Sequence, residues 1–291
     1  MDFKVLSRYY QLTKPGIIYG NLITGFAGYI VGAKLNFSIA YLLLTLFSIS
    51  LVIASACVVN NIYDRKIDSH MSRTKKRSMV TQKISIKNAV IFAIILGISG
   101  LVILGLFINW ITFTIGVIAF VDYVILYGLA KRRTSHSTLI GTLAGSASIV
   151  AGYTAATGKI DLTALLLFAV MTIWQMTHFY AIAIYRMKDY DAAKLPVLPV
   201  KRGLNRTKIE MLVYSILFLV IIIVFWYYSF KDYIFLFIMM ALSVYWIYIS
   251  IKGFTAKDTD KWARQMFFFS LIILLSLCLL IYKSLFISNL R

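Results

Sequence analysis

Three oxygen-bearing side chains recur at every fourth residue just after the second long apolar run of the sequence. They are Asn60, Asp64 and Asp68, in the segment NNIYDRKID. A helix that continues through this segment places all three on one face. Mg²⁺ prefers such oxygen ligands and usually combines one or two carboxylates with substrate phosphates. The spacing therefore predicts a magnesium–phosphate site; the alternative is a solvated helix end whose acids offset nearby bases.

A second acidic segment, YRMKDYD, begins at Tyr185, four apolar runs after the first. Asp189 and Asp191 lie where the chain leaves that run, a position in which they are by themselves ordinary interface charges. Their position matches that of the first motif, which favours a second set of metal ligands. Two facing carboxylate clusters would hold metals on both sides of a diphosphate and neutralise the charge that develops as it leaves.

Basic residues border both acidic segments. A guanidinium group binds phosphate through two parallel hydrogen bonds, whereas an ammonium group acts as a point charge. Orientation in a bilayer also requires bases in these loops, so both interpretations stay open for each residue. The predicted diphosphate-binding residues are Arg73, Lys75, Arg77, Lys131, Arg132, Arg186 and Lys188.

The elements that must position these residues are membrane helices. Of the 291 residues, 60% are hydrophobic and 14% are charged, which is more apolar surface than a soluble domain of this length can bury. We predict an all-α fold, one membrane-embedded domain over residues 1–291. Its nine spans are expected near Ile17–Ala33, Ser38–Val59, Asn88–Ile108, Trp110–Ala130, Ser137–Thr157, Asp161–Ile184, Ile209–Ser229, Tyr233–Ile251 and Gln265–Phe286.

The distribution of basic residues predicts the orientation of the bundle. Of the 30 Lys and Arg residues, 25 fall on the side that carries the N-terminus, which the positive-inside rule places in the cytosol. That side also carries the two long loops, at about residues 60–87 and 185–208, where we expect the active site. Bilayer orientation accounts for most of the net charge of +19, so nucleic acid is not an expected partner.

Polar residues inside the spans are candidates for a substrate cavity. His178 is costly to place in a membrane, and either contacts a substrate or bonds a neighbouring helix. Asn21 lies in the first span, where it lines a cavity or packs between helices. Asp122 lies near the middle of the fourth span, as in an ion-coupled transporter, which is the alternative from another protein class. No proline falls inside a predicted span, which disfavours the broken helices of transporters.

The segment Asn60–Arg77, NNIYDRKIDSHMSRTKKR, resembles the first signature of the UbiA superfamily of intramembrane prenyltransferases. The similarity is greatest to the branch that farnesylates haem, mainly through WQMTHFYAIAIYRMKDYDAAKLPVLPV at Trp174–Val200. Further matching blocks are KPGIIYGNLITGFAG at Lys14–Gly28, KRRTSHSTLIGTLAGS at Lys131–Ser146 and DKWARQMFFFSL at Asp260–Leu271.

This resemblance implies a nine-helix fold, Mg²⁺ as cofactor, farnesyl diphosphate as donor and the 2-vinyl group of haem b as acceptor. Water then captures the resulting cation, which gives haem O. Asn60, Asp64 and Asp68 match the first metal motif, and Tyr185 and Asp189 match the second. The haem-related block contains the cavity candidates Trp174 and His178.

The resemblance also implies a bacterial cytoplasmic membrane and a haem–copper terminal oxidase as the recipient of the product. A quinone precursor such as 4-hydroxybenzoate is the alternative acceptor. The chain departs from the family at Ala147-Ser148, where a Pro-Pro pair is usual, and at Thr177, where Pro is common. Both positions are expected near the cavity.

Overall fold

The computed structural model describes residues 3–34 and 37–287, with side chains up to Ser284. Across these residues the secondary structure is helical, without strands. Nine helices in the described ranges are long and apolar enough to cross a bilayer. They are α2 (Pro15–Ala33), α3 (Ile39–Asp68), α4 with the π-helical turn that continues it (Ile86–Ile103 and Leu104–Ile108), α5 with α6 (Trp110–Val121 and Tyr127–Arg133), α7 (Ser137–Thr157), α8 (Leu162–Tyr185), α11 (Leu204–Ser229), α12 (Tyr233–Lys252) and α13 (Thr259–Ile287).

The predicted all-α class and the nine spans are confirmed, and most differences lie at helix ends. The second span continues to Asp68 and the fourth to Arg133. The seventh begins at Leu204, and the ninth at Thr259. Hydropathy detects only the apolar part of a helix, whereas the backbone hydrogen bonds continue through polar turns beyond the hydrocarbon region.

Among the residues described, three short α-helices lie outside the spans. They are α1 (Phe3–Leu12), which the sequence analysis did not predict, and α9 (Met187–Ala192) and α10 (Leu198–Arg202) in the second long loop. Helix α1 packs on the bundle through two contacts. The ring of Tyr9 meets that of Phe92 edge to face, with 5.1 Å between centroids. The Nδ2 of Asn61 donates to the carbonyl of Leu12 at 2.7 Å. The chain therefore enters α2 directly beside the first acidic motif.

Helices α2 and α7 pack with their backbones in contact. A Cβ atom at Gly28 would lie 1.9 Å from the carbonyl oxygen of Ile149, and one at Gly152 would lie 2.0 Å from that of Gly25. Small residues commonly allow such an approach between membrane helices. This contact places α2, which follows Lys14, against the helix that follows the basic end of α6.

The fourth span contains a π-helical turn, Asp122–Leu126, between α5 and α6. Asp122 is buried, and its Oδ2 accepts a hydrogen bond from the backbone N–H of Ala144 on α7 at 3.1 Å. Its Oδ1 has no hydrogen-bond partner among the described residues. The wider turn rotates the chain beyond it relative to a regular α-helix.

Candidate active site

The predicted stripe on α3 is one face of a continuous helix, and it points into the protein. Asn60, Asp64 and Asp68 are 5%, 1% and 3% exposed. Two carboxylates on one buried face are costly unless positive charge lies beside them. The solvated helix end considered as an alternative therefore does not describe these residues.

Asp64 is bound by the basic end of α6. The Nζ of Lys131 lies 2.7 Å from its Oδ2, and an Nη of Arg132 lies 3.3 Å from its Oδ1. The Arg132 guanidinium also stacks over the ring of Tyr63, 4.1 Å from the centroid. Both carboxylate oxygens of Asp64 thus contact a cation.

Asp68 is bound by a residue of its own loop. After α3 the chain folds back, and an Nη of Arg77 donates to Asp68 Oδ2 at 2.7 Å. The Oγ1 of Thr74 donates to the backbone carbonyl of Asp68 at 2.9 Å, which holds the loop in this path. Asp68 and Arg77 are nine positions apart in the chain. The loop that follows α3 therefore supplies the cation that neutralises Asp68.

Lys14 completes the site, and the sequence analysis did not assign it a role. Its Nζ donates to the Oδ1 of Asn60. Lys14 has a positive φ of 54°, uncommon for a residue with a side chain, and directly precedes Pro15 at the start of α2. Burial lowers the pKa of Lys14 to about 8. Its place at the head of the matched block Lys14–Gly28 was the one signal in the sequence.

The cluster as a whole carries excess positive charge. Four cations, Lys14, Arg77, Lys131 and Arg132, contact a stripe that contains two carboxylates. The difference is two positive charges in a partly desolvated region, where charge interactions are stronger than in water. Such a cluster can bind an additional anion.

Asp189 of the second motif is joined to the first loop through Ser72. Its Oδ1 accepts from the backbone N–H of Ser72 at 3.0 Å and from the Ser72 hydroxyl at 2.7 Å. The side-chain hydrogen bond is the main reason that the pKa of Asp189 lies below its usual range, and Arg186 and Arg73 contribute. The Oδ2 of Asp189 is buried and has no partner among the described residues.

The two acidic motifs do not merge into one cluster. No group of three or more His, Cys, Asp or Glu side chains in the described chain is placed to hold a metal ion by itself. The sequence analysis expected facing carboxylate clusters. Instead, the structure links the two loops through a serine, so substrate oxygens would have to complete the coordination of any metal.

An aromatic stripe, missed in the sequence, leads from the membrane interior to Lys131. Tyr123, Tyr127 and Lys131 are spaced i, i+4, i+8, and the two rings stack with 5.5 Å between centroids. Tyr190 on α9 lies close enough to interact electrostatically with Tyr127 and Lys131. The same periodicity that identified the acidic stripe on α3 would have identified this one.

The remaining predicted phosphate-binding residues are less closely engaged. Arg186 and Arg264 both lie over the ring of Tyr185, 5.3 Å and 5.7 Å from its centroid. Lys75 and Lys188 are exposed, and neither forms an ion pair in the described part of the chain. Their contribution to phosphate binding stays a prediction.

His178 and Trp174 both bind α13. The Nδ1 of His178 lies 2.7 Å from the hydroxyl of Ser270, and the Nε1 of Trp174 donates to the carbonyl of the same residue at 2.9 Å. The His178 ring stacks on Trp174 at 4.7 Å and lies 4.9 Å from the Phe267 ring. This geometry agrees with the interpretation in which His178 bonds a neighbouring helix. Haem contact stays a prediction.

Two residues at the departures from the family pattern form hydrogen bonds between helices. Ser148, at the usual proline position, donates to the Oδ1 of Asn21 at 2.7 Å and so joins α7 to α2. Thr177 donates to the carbonyl of Met211 on α11 at 3.3 Å. Both are contacts between helices. Asn21 therefore has the packing role that was one of its two interpretations.

In the described part of the chain, nine apolar spans and a buried cluster of carboxylates with surplus cations define a multi-pass membrane protein with a charged site. Sequence comparison identifies its family. The chain belongs to the UbiA prenyltransferase family, whose model matches residues 21–272. It is 43% identical over 276 residues, 94% of each chain, to protoheme IX farnesyltransferase of Acinetobacter baylyi. The protein of the same name from Yersinia enterocolitica is 43% identical over 274 residues, 94% of this chain and 93% of that one.

Solved structures share the fold. A structure described as digeranylgeranylglyceryl phosphate synthase superposes with a TM-score of 0.79 at 22% identity, over 97% of this chain and 99% of that one. A UbiA homologue from Archaeoglobus fulgidus bound to GPP and Mg²⁺ gives a TM-score of 0.74 at 16% identity, over 95% and 99%. The predicted fold family is thereby confirmed.

Proposed function

We propose that this protein transfers the farnesyl group of farnesyl diphosphate to the 2-vinyl group of haem b, with addition of water, to give haem O. The observation that carries the proposal is the buried stripe on α3 with its surplus of two positive charges. The 43% identity to two protoheme IX farnesyltransferases supports the choice of donor and acceptor.

The donor set fits Mg²⁺. Asn60, Asp64 and Asp68 offer hard oxygen ligands on one face, and the buried Oδ2 of Asp189 lacks a hydrogen-bond partner in the described chain. Asn60, Asp64 and Asp68 would hold Mg²⁺ on one side of the diphosphate and Asp189 on the other, with substrate phosphates as the other ligands. When bound, Mg²⁺ would neutralise charge on the departing diphosphate. The Mg²⁺ in the Archaeoglobus structure supports this assignment.

The chain's own cations would exchange partners when the donor binds. Lys131, Arg132 and Arg77 contact the carboxylates of the stripe, and phosphate oxygens can replace those carboxylates as acceptors. The charges are already in place, so little reorganisation is needed as negative charge develops on the leaving group. Tyr185, which matches the second motif, stays a predicted catalytic residue.

The acceptor side needs shape more than acid–base chemistry. As the bond between C1 of the farnesyl group and the diphosphate oxygen breaks, the vinyl carbon forms a new bond to C1. Water then adds to the cation left beside the porphyrin and releases a proton to solvent, which leaves the hydroxyl group. The stripe of Tyr123 and Tyr127 can line the path between the diphosphate and the membrane interior. Asn21, Trp174 and His178 stay predictions for the haem cavity.

The proposed setting is the bacterial cytoplasmic membrane, with the active site facing the cytosol. The basic residues of the loops support this orientation, because 25 of the 30 Lys and Arg residues lie on the side of the two long loops. A haem–copper oxidase is the proposed recipient of the product.

The test uses the purified full-length chain with farnesyl diphosphate, Mg²⁺ and haem b. We expect diphosphate release that depends on haem b, and a product with the mass of haem O. Release that responds instead to 4-hydroxybenzoate would replace the acceptor and keep the enzyme class. If folded protein releases no diphosphate with haem b and none with 4-hydroxybenzoate, the proposal is wrong.

A further inference from the structure

A charged cavity lies beside the candidate active site, on the side of the bundle that carries the two long loops. Its volume is about 440 Å³, and it is formed by the connection between α6 and α7 and by the segment that contains α10. None of the described residues that line it carries a carboxylate. Five of its nine lining residues are cationic: Arg132, Arg133, Lys194, Lys201 and Arg202.

Four of these cations are not neutralised by the protein. Arg132 contacts Asp64, but the other four have no carboxylate within 4 Å in the described ranges. A topological preference for basic loops accounts for their side of the membrane, but not for their convergence on one cavity. Like charges brought together in this way favour an anionic ligand.

The wall of the cavity is held in place by apolar anchors. Leu195 and Leu198 are each 2% exposed, so the segment between Lys194 and Lys201 is fixed to the core while its basic side chains stay at the surface. Lys194 has a positive φ of 54°, a conformation in which glycine would be unstrained. Strained residues of this kind cluster at binding sites.

Exposed apolar residues of two candidate spans lie within one helical turn of residues that line the cavity. Leu129, one helical turn before Arg133, is 38% exposed, and Leu139, one turn after His136, is 41% exposed. Both leucines belong to membrane spans. A ligand with a charged head in the cavity would therefore have apolar surface within one turn for its acyl chains.

We propose that this cavity binds the phosphate headgroup of an anionic phospholipid. The head would lie among Arg133, Lys194, Lys201 and Arg202, with the acyl chains along Leu129 and Leu139. Because Arg132 lines the cavity and contacts Asp64, the lipid would lie next to the catalytic centre without entering it. The proposal goes beyond the proposed transfer reaction and does not depend on its acceptor.

The experiment compares lipid binding in two charge-matched double variants of the full chain. Lys201→Gln with Arg202→Gln removes two cations of the cavity. Lys257→Gln with Lys261→Gln removes two exposed cations, one from the connection between α12 and α13 and one from the first turn of α13, on the same side of the bundle. Each protein is placed in phosphatidylcholine nanodiscs with or without phosphatidylglycerol, and retained phosphatidylglycerol is measured by native mass spectrometry.

We expect the cavity variant to bind phosphatidylglycerol about 25-fold more weakly, since a basic residue near anionic lipid contributes about fivefold. The control variant should bind like the unmodified chain. Unchanged binding in the cavity variant, or equal loss in the control, would overturn the proposal. Displacement of the lipid by inorganic phosphate alone would identify a free anion as the ligand instead. Farnesyl transfer in phosphatidylcholine, measured in parallel, should be equal in all three proteins, and so tests the proposed function separately.

Discussion

The Nζ of Lys131 lies 2.7 Å from the Oδ2 of Asp64, although the two residues are 67 positions apart in the chain. Asp64 is 1% exposed. Ionisation of its buried carboxylate would be costly without the adjacent ammonium group of Lys131. The pair joins the end of α6 to the predicted metal face of α3. Metal binding and diphosphate binding are therefore expected to depend on the same contact.

Replacement of Lys131 by Gln should lower kcat/KM for farnesyl diphosphate by about 100-fold or more. Removal of one preorganised group that stabilises developing charge typically has an effect of this size. Lys131→Arg keeps the charge and should retain more activity. The measurement is haem-dependent diphosphate release. Equal activity of the Gln and Arg variants would show that the charge at this position is not used.

Removal of either carboxylate of the stripe should abolish turnover. Asp64→Ala and Asp68→Ala each delete a proposed Mg²⁺ ligand and leave cations without their partner. Asp260→Ala removes an exposed acid in the first turn of α13 and serves as the control. Activity is measured on protein whose insertion is verified by its yield in the membrane fraction. Retained activity in Asp64→Ala or Asp68→Ala would remove that residue from the metal site.

Ser72→Ala should move the acidic limb of the pH–activity profile toward neutral pH. The Ser72 hydroxyl is the main cause of the lowered pKa of Asp189, so its loss raises that pKa. The carboxylate is then protonated at a higher pH than in the unmodified chain, and activity falls earlier as pH decreases. Ser69→Ala, which removes a bond to the carbonyl of Lys66 in the same loop, should leave the profile unchanged. Identical pH–activity profiles for the unmodified chain, Ser72→Ala and Ser69→Ala would show that the protonation of Asp189 does not limit activity.

Gly28→Ala should destabilise the bundle, because the added Cβ would lie 1.9 Å from the carbonyl oxygen of Ile149. Overpacking against side chains costs about 1–3 kcal/mol, and a backbone carbonyl has less freedom to move. Gly20→Ala, in the same helix, meets nothing within 4 Å and is the matched control. Thermal unfolding in detergent gives the comparison. Equal melting temperatures would show that α2 and α7 pack less closely than described.

His178→Phe and Ser270→Ala should lower thermal stability by similar amounts, about 1 kcal/mol each, because both remove the same buried hydrogen bond. The double variant should lose little more than either single variant. We expect the absorption spectrum of bound haem b to be the same in His178→Phe and the unmodified chain. A changed Soret band would instead establish that His178 contacts haem.

The part of this protein that local sequence determines is considerable. The nine spans follow from runs of apolar residues, because a bilayer of fixed thickness requires about 20 of them in sequence. The shared face of Asn60, Asp64 and Asp68 follows from helical periodicity. The same reasoning predicted that bases lie near the acids, but not which base meets which acid.

Those pairings depend on tertiary structure. Lys14 reaches Asn60 across 46 positions because α1 packs on α3 and delivers the start of α2 beside the stripe. Asp189 meets Ser72 across 117 positions, where the two long loops touch. Local periodicity specifies which face of a helix a residue occupies. Only the packing of helices, such as α2 against α7 at Gly28, decides which faces meet, because it depends on backbone approach and crossing geometry that no single segment contains.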